Sequence, residues 1–481
     1  MKNFRGNLRA MKPHVKLLTA LILTFFPSLV MASPKATSLE LILRQTLGKS
    51  HVDAAKTSIA VADVSSQTEL ATINGDVLRN PASCTKIVTA AALLSFLGPN
   101  YTLPTDFFSS TPPQQGTIQN LYVKGTGDPF LVNEELWKIV HELSVKGLKT
   151  ISGDIVIDNS FFEKNEYPRM SGESRRAYAA VTSPFAVNFN SLAIHVTPGA
   201  KRGDLATVSL DPNIDFFQIV NSLKTGSEYR LQIDPVETAQ GEKLIISGTI
   251  PVSLGEKVFY RNVTNPTFYA GSILRLLLLQ HGISVSGNIK EGKTPEHAHL
   301  LLSASSKPLS LLIRDMNKFS NNFTAEQLLK HLAAVKKGIP GTTAHGVEVL
   351  QEYLASIGIP RSSYTIENGS GFSSITRFTA SQLVQVLMAA YHDFRTSADF
   401  VASLAVFGAD GTMKDWNHHE ALRGKMRAKT GSLNGVSALA GFVSIKNGDV
   451  RAFAILGDHL KQGHDVMRQI QLDVVDKIAR H

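Results

Sequence analysis

Asn80-Pro81-Ala82-Ser83-Cys84-Thr85-Lys86 runs straight into Ile87-Val88-Thr89-Ala90-Ala91-Ala92-Leu93-Leu94. Pro81 stops any preceding helix, and a new one can begin just beyond it. From Ile87 to Leu97 the residues are apolar on nearly every side, the pattern of a helix buried all round. Gly98-Pro99 ends it. At the mouth of this helix Ser83 and Lys86 stand three positions apart and share one face. Burial makes an ammonium costly and lowers a lysine's pKa, so the amine becomes a base beside a nucleophile. A helix N-cap serine followed by a snorkelling lysine has the same spacing, and the pair alone does not separate the two readings.

Working outward, Met1 to Ala32 reads as a signal peptide. Lys2, Arg5, Arg9, Lys12 and Lys16 form a basic n-region, Leu17 to Val30 an apolar core, and Val30-Met31-Ala32 a small-residue cleavage signal. Pro27 interrupts the apolar run, which weighs against a membrane anchor, and no cysteine near the cleavage site can carry a lipid. The segment holds five basic and no acidic residues, so the formal charge of +9 falls to +4 once it is removed. That suits peripheral contact with an anionic wall or membrane surface. It gives no case for nucleic acid, because no basic stripe interleaved with aromatics appears. Cys84 is the only cysteine, so no intramolecular disulfide can form. It sits about a quarter turn off the Lys86 face and reads as a buried small hydrophobe.

The remaining chain exceeds one ordinary domain. Ser38 to Leu47 reads as a helix and Thr57 to Val64 as a strand. Gly48-Lys49-Ser50 ends like a phosphate loop but lacks the first glycine. From Pro99 to Ser303 short β-like runs dominate, among them Leu121 to Lys124, Ile155 to Asp158, Ala206 to Leu210 and Leu244 to Ile250. Helices are expected there at Glu134 to Val145 and Tyr269 to Gln280. After Lys307 the α/β texture returns, with helices at Leu309 to Met316, Gly346 to Ile357 and Ala380 to Tyr391. Thr324-Ala325-Glu326-Gln327 reads as the capping box of a helix running to Val335. Val436 to Ile445 and Val450 to Leu456 read as strands of a hairpin turning at Asn447-Gly448. A last helix puts Met467, Ile470, Val474 and Ile478 on one stripe. With few basic residues flanking it, packing on the hairpin is favoured over a membrane foot.

Serine acyl-transfer enzymes with a lysine base carry two further motifs, S-x-N and K-[ST]-G. S-x-N occurs at Ser286-Gly287-Asn288, Ser320-Asn321-Asn322 and Ser432-Leu433-Asn434, and K-T-G at Lys224-Thr225-Gly226 and Lys429-Thr430-Gly431. Order and setting select among them. Lys429-Thr430-Gly431-Ser432 leads into the terminal hairpin, whereas Lys224-Thr225-Gly226 reads as a turn between strands. Ser320-Asn321-Asn322 falls between two helices, where a loop can reach Ser83.

Together these residues resemble the penicillin-recognising serine acyl-transferases. More narrowly, the chain resembles the D-alanyl-D-alanine carboxypeptidase/endopeptidase group, peptidase S13 family, low-molecular-mass penicillin-binding proteins of the penicillin-binding protein 4 type. The narrower likeness rests on the long gap from Ser83 to Ser320. It also rests on Gly125-Thr126-Gly127-Asp128-Pro129, Gly153 to Asp158, Tyr178 to Pro184, Asn368-Gly369-Ser370-Gly371, Asp410-Gly411-Thr412 and Ala428 to Gly431. One departure stands out: Ser374 replaces an arginine usual in that family's glycine loop.

The resemblance implies an α+β protein with a β-lactamase/transpeptidase-like domain, an antiparallel sheet flanked by helices. That domain would be 33–98 with 304–481, and 99–303 a β-rich insert with a smaller nested part at roughly 190–255. It implies an exported, periplasmic serine DD-peptidase acting on peptidoglycan stem peptides and cross-bridges, and acylated by β-lactam antibiotics. Ser83 would be the nucleophile and Lys86 the general base. Ser320 and Lys429 would relay a proton to the leaving amine, and Asn322 would hold Lys86. Thr430, Gly431 and Ser432 would bind substrate. Asp158 matches a position near the substrate's side-chain pocket, although a turn-capping aspartate fits equally. A β-lactamase-like hydrolase is the alternative within this chemistry, and the long insert argues against it. A catalytically dead peptidoglycan-binding protein is the alternative outside it, and the complete motif set argues against that. No metal or cofactor is expected: His297-Ala298-His299 and His418-His419-Glu420 read as surface histidines.

Overall fold

In the computed structural model, residues 37–50, 53–164, 176–239, 241–416, 419–461 and 463–481 are described. The expected signal peptide lies outside them. Two widely separated lengths of chain build one six-stranded sheet. Its order is Ala405–Val406, Met426–Leu433, Val436–Ser444, Val450–Gly457, Thr57–Asp63, Glu69–Ile73, and every pairing is antiparallel. The central strands are buried on both faces, so they read as unbroken apolar runs.

Alternation still decides which residue goes where. Ala60, Ala62, Ala438, Ala440, Ala452 and Ala454 face one core, while Ile59, Val61, Leu439, Val443, Phe453 and Ile455 face another. The alanine face is flat. It lets helices Thr85–Leu97, Leu309–Lys318, Asn322–Lys337, Thr343–Ser356 and Ala380–His392 pack into the same core. The bulky face is covered by Ser38–Lys49 and by His464–Arg480, whose Met467, Ile470, Val474 and Ile478 lie against the hairpin as their spacing predicts.

Thr85–Leu97 is the centre of the helical layer. Ile87, Val88, Leu93 and Leu94 are wholly buried, each worth roughly 1.5–3 kcal/mol relative to exposure. That burial is what allows a lysine to be held in the helix's first turn. The helix ends at Gly98, whose φ of +82° carries its N–H back to Leu94 O at 2.9 Å.

The insert has its own core and a mixed five-stranded sheet. The order is Ile289–Glu291, Ile155–Asp158, Leu121–Gly125, Pro104–Ser109, His299–Ser305. Helices Asn133–Val145 and Pro266–Gln280 pack on that core. Two smaller sheets lie between Ser191 and Asn262. The insert meets the helical layer along Asn322–Lys337. Ser183 N–H donates to Gln327 Oε1 at 3.1 Å, and Gln327 Nε2 donates to Ser183 O at 3.0 Å. His331 stands 2.7 Å from Thr126 O and 2.9 Å from the Tyr101 hydroxyl, with burial pushing its pKa down to about 4. The neutral ring therefore donates through Nδ1 and accepts from Tyr101. Covered on both sides, this helix is buried from Phe323 to Ala334.

Three local expectations are corrected. The α-helix does not start directly after Pro81; Ala82–Cys84 forms a 3-10 turn first, with Ala82 at φ +46°. Asn80 imposes it, accepting from Ala82 N–H at 2.8 Å and donating to Ser373 O at 2.8 Å. Thr324 to Gln327 is not a capping box. The helix begins at Asn322, and Asn321 Oδ1 caps it from Thr324 N–H at 3.1 Å. Lys224-Thr225-Gly226 is a short strand parallel to Glu242–Pro251 rather than a turn. The hairpin turns at Asn447-Gly448 as expected, its strands stopping at Ser444 and Val450 around a five-residue loop with Gly448 at φ +86°.

Candidate active site

The Ala82–Cys84 turn lifts Ser83 off the end of the helix, and Lys86 follows in the helix's first turn. Lys86 Nζ lies 3.1 Å from Ser83 Oγ, 2.8 Å from Asn322 Oδ1 and 2.7 Å from Ser370 O. The lysine is fully buried. Burial lowers its pKa well below the usual range, the Lys429 cation lowers it further, and the Glu326 carboxylate opposes both. A neutral amine has two N–H groups and one lone pair. Asn322 Oδ1 and Ser370 O can only accept, so they take the two hydrogens and leave the lone pair for the Ser83 hydroxyl.

A second pair stands opposite. Ser320 occupies the break between Leu309–Lys318 and Asn322–Lys337 at φ +56°, a conformation costing about 1–3 kcal/mol in a non-glycine residue. Lys429, in strand Met426–Leu433, donates to Ser320 Oγ at 2.8 Å and to Thr430 O at 2.8 Å. It too is fully buried, and burial pushes its pKa down to about 8, against a smaller upward pull from Cys84. Lys318, just before the break, is ion-paired with Asp410. Thr412, two residues on, stands 2.9 Å from the Thr430 hydroxyl. These contacts explain why Asp410-Gly411-Thr412 accompanies the other motifs.

Two glycines let the pieces close up. A Cβ on Gly431 would press on Pro81 O and Ala82 Cβ, and one on Gly371, at φ +74°, would collide with Ala82 O. Strand and loop therefore pass directly against the turn that carries Ser83. Cys84 Sγ donates to Lys429 O at 3.2 Å, and burial pushes its thiol up to about 12. It is a packing residue, as its place off the Lys86 face suggests.

The structure thus brings Ser83, Lys86 and Asn322 into one network and joins Ser320 to Lys429. Thr430, Gly431 and Ser432 follow Lys429 on the same strand, with Ser432 exposed. Asp158 does not join them. Burial alone would raise its pKa, but bonds from Ser160 N–H (3.0 Å) and Thr294 N–H (2.8 Å) hold it below the usual carboxylate range. It caps a turn at the end of its strand. Arg377, three residues beyond Ser374, turns its guanidinium back on Ser374 O and Thr376 O, both at 2.9 Å. Of the histidines, His418 lies outside the described residues and His419 stands 2.9 Å from Asp473.

Sequence reading assigned no role to the Ser370 carbonyl or to Glu326. A usable signal existed: Asn322, Glu326 and Lys330 recur every four residues on one face of that helix. Beside Ser320 and Asn322 opens a groove of about 440 Å³, lined further by Tyr178, Phe319, Glu134 and Asp211.

The D-Ala-D-Ala carboxypeptidase 3 (S13) family matches this chain over residues 40–479. A D-alanyl-D-alanine carboxypeptidase of Actinomadura sp. (strain R39) is 30% identical over 469 residues, covering 92% of this chain and 85% of that protein. The D-alanyl-D-alanine carboxypeptidase DacB of Haemophilus influenzae is 26% identical over 393 residues, covering 80% and 81%. The crystal structure of penicillin binding protein 4 from Haemophilus influenzae matches with a TM-score of 0.80 at 22% identity, over 91% of this chain and 99% of that one. A predatory peptidoglycan endopeptidase from Bdellovibrio bacteriovorus matches with a TM-score of 0.53 at 18% identity, over 88% and 92%. These two likenesses establish the fold, an α+β architecture of the penicillin-binding protein 4 kind. With the family match spanning nearly the whole described chain and the S-x-x-K, S-x-N and K-T-G residues meeting around one serine, the protein belongs to the D-Ala-D-Ala carboxypeptidase 3 (S13) family.

Proposed function

We propose that this chain is an exported DD-peptidase that cuts peptidoglycan stem peptides after a D-alanine through an acyl-ester on Ser83. The observation that carries the reading is the setting of Lys86: fully buried, with two fixed acceptors and the Ser83 hydroxyl around one amine. As Ser83 Oγ bonds to the carbonyl carbon, its proton passes to the Lys86 lone pair. The N–H groups of Ser83 and Ser432 bind the oxyanion, each such donor being worth about 3 kcal/mol in related chemistry. The C–N bond then breaks, and the proton that Lys86 took from Ser83 is relayed to the leaving amine through Ser320, whose hydroxyl is hydrogen-bonded to Lys429. Water attacks the ester, releasing the shortened peptide acid and restoring the Ser83 hydroxyl.

Lys429 and Thr430 grip the terminal carboxylate in a charge-assisted contact. We take 33–98 with 304–481 as the peptidase unit and 99–303 as the insert. The insert and the α-helical layer share the groove beside Ser320, the residue given the proton relay to the leaving amine. That space supports a second activity, DD-endopeptidase cleavage of cross-links, whose leaving group is a whole stem peptide. β-Lactams are expected to acylate the same serine, and the basic, apolar N-terminal segment supports export to the periplasm.

A fluorescent penicillin should label the full chain covalently, and Ser83→Ala should remove the label. Labelling that persists in Ser83→Ala would overturn the assignment. Rapid turnover of the drug in place of a lasting adduct would favour the β-lactamase alternative.

A further inference from the structure

Glu326 is fully buried one turn beyond Asn322, and the steps above do not use it. One carboxylate oxygen accepts from Ser370 N–H at 2.8 Å and the other from Gly369 N–H at 3.4 Å. Both oxygens thus face donors, which suits an ionised carboxylate, although burial raises its pKa. The peptide it grips belongs to the residue whose carbonyl holds Lys86 Nζ at 2.7 Å. Thr89 fixes the other side of the loop, donating to Gly369 O at 2.7 Å.

Lys86 has to be neutral before attack and cationic once it holds the Ser83 proton. Burial and Lys429 both penalise that cation, and the Glu326 carboxylate acts against them, with a smaller upward pull from Cys84. A buried amine without that carboxylate would be neutral but a poor base, since a general base needs affinity for the proton it takes. The charged and titratable groups around Lys86 are Lys429 on the neighbouring strand, Cys84 on its own turn and Glu326 on the facing helix. One turn further along that helix, Lys330 lies 3.6 Å from Glu163.

We propose that Glu326 is a positioning residue for the Ser83 reaction, clamping the Gly369–Ser370 backbone so that its carbonyl and the carboxylate's charge together make Lys86 an effective base. It rests on the acyl-transfer reading above and adds to it the group that sets the base strength of Lys86.

The test is the acylation rate of the full chain by a fluorescent penicillin, followed across pH in wild type, Glu326→Gln and Glu326→Asp. In Glu326→Gln the lost anion lowers the Lys86 pKa, so the acid limb moves to lower pH by roughly one unit. Its plateau rate falls roughly ten- to a hundredfold as the carbonyl loosens and the base weakens. Glu326→Asp keeps the charge but draws back from Ser370, so the limb stays and only the plateau falls. A purely structural glutamate would lower the plateau without moving the limb in Glu326→Gln, and that outcome overturns the proposal. Should Glu326→Gln fail to fold, a wild-type plateau in Glu326→Asp overturns it instead. A wild-type protein that is not acylated at Ser83 would remove the function itself, whereas acylation with an unmoved acid limb removes only the role of Glu326.

Discussion

Lys86 and Lys429 are both buried cations by sequence, yet their surroundings push them toward different tasks. Lys86 has a lone-pair partner in Ser83 and two acceptors, and its pKa is driven well below the ordinary lysine range by burial and then by Lys429. Lys429 falls to about 8 through burial, against an upward pull from Cys84. In the proposed reaction Lys429 is therefore mostly the ammonium that a terminal carboxylate needs at neutral pH, and the downward shift at Lys86 favours the amine that Ser83 needs. The sign follows directly. A cation with a pKa near 8 loses its proton as pH rises through that value, so kcat/KM on a free D-alanine terminus should fall above about pH 8. The check is a pH profile on an acylated pentapeptide. A rate that stays flat to pH 10 would show that Lys429 does not hold the carboxylate as an ammonium.

At the scale of elements, the site is a meeting of a turn, a helix start, a strand and a loop, each tightened by a residue with little freedom. Ala82 and Ser320 hold left-handed backbone without being glycine, while Gly371 supplies the same region where a Cβ has no room. The strained residues are held by what surrounds them: Asn80 and Ser373 at the first, and Asn321 with Lys429 at the second. Gly371→Ala should therefore destabilise the fold by about 1–3 kcal/mol. The same change should slow penicillin acylation at least roughly tenfold, because the loop that carries the Ser370 carbonyl must retreat from Ala82. Denaturant unfolding and acylation kinetics measure the two effects. An unchanged acylation rate in a destabilised variant would mean that the loop's approach matters to the fold alone.

On the scale of the whole molecule, the insert is more than an appendage to the sheet. Through Ser183, Thr126 and Tyr101 it holds the helix that carries Asn322 and Glu326. Through Tyr178, whose carbonyl accepts from Asn322 Nδ2 at 3.3 Å, it also reaches the edge of the site. The 440 Å³ groove between insert and helical layer is large enough to admit more than a single D-alanine. Digestion of purified sacculi should therefore convert dimeric muropeptides to monomers and pentapeptides to tetrapeptides. Loss of terminal D-alanine with dimers left intact would confine the enzyme to the carboxypeptidase reaction.

The order of the motifs, the buried helix behind Ser83, the hairpin and the terminal helix are all legible in the chain, because hydrophobic period and turn chemistry are carried by neighbouring residues. So is the reaction class, since few arrangements place S-x-x-K, S-x-N and K-T-G in that order on one long chain. The same local logic falls silent where a residue's partner lies far off. Glu326 attracts no role until Gly369 and Ser370 are seen against it, and of the two roles open to Asp158 its bonds from Ser160 and Thr294 N–H fit the turn cap. Order and setting single out the Ser320 copy that meets Lys429, but spacing cannot say that the Ser370 carbonyl completes the setting of Lys86. Those outcomes depend on which surfaces are buried together and on the electrostatic cost of charge inside them, and only packing of the distant chain segments sets either one.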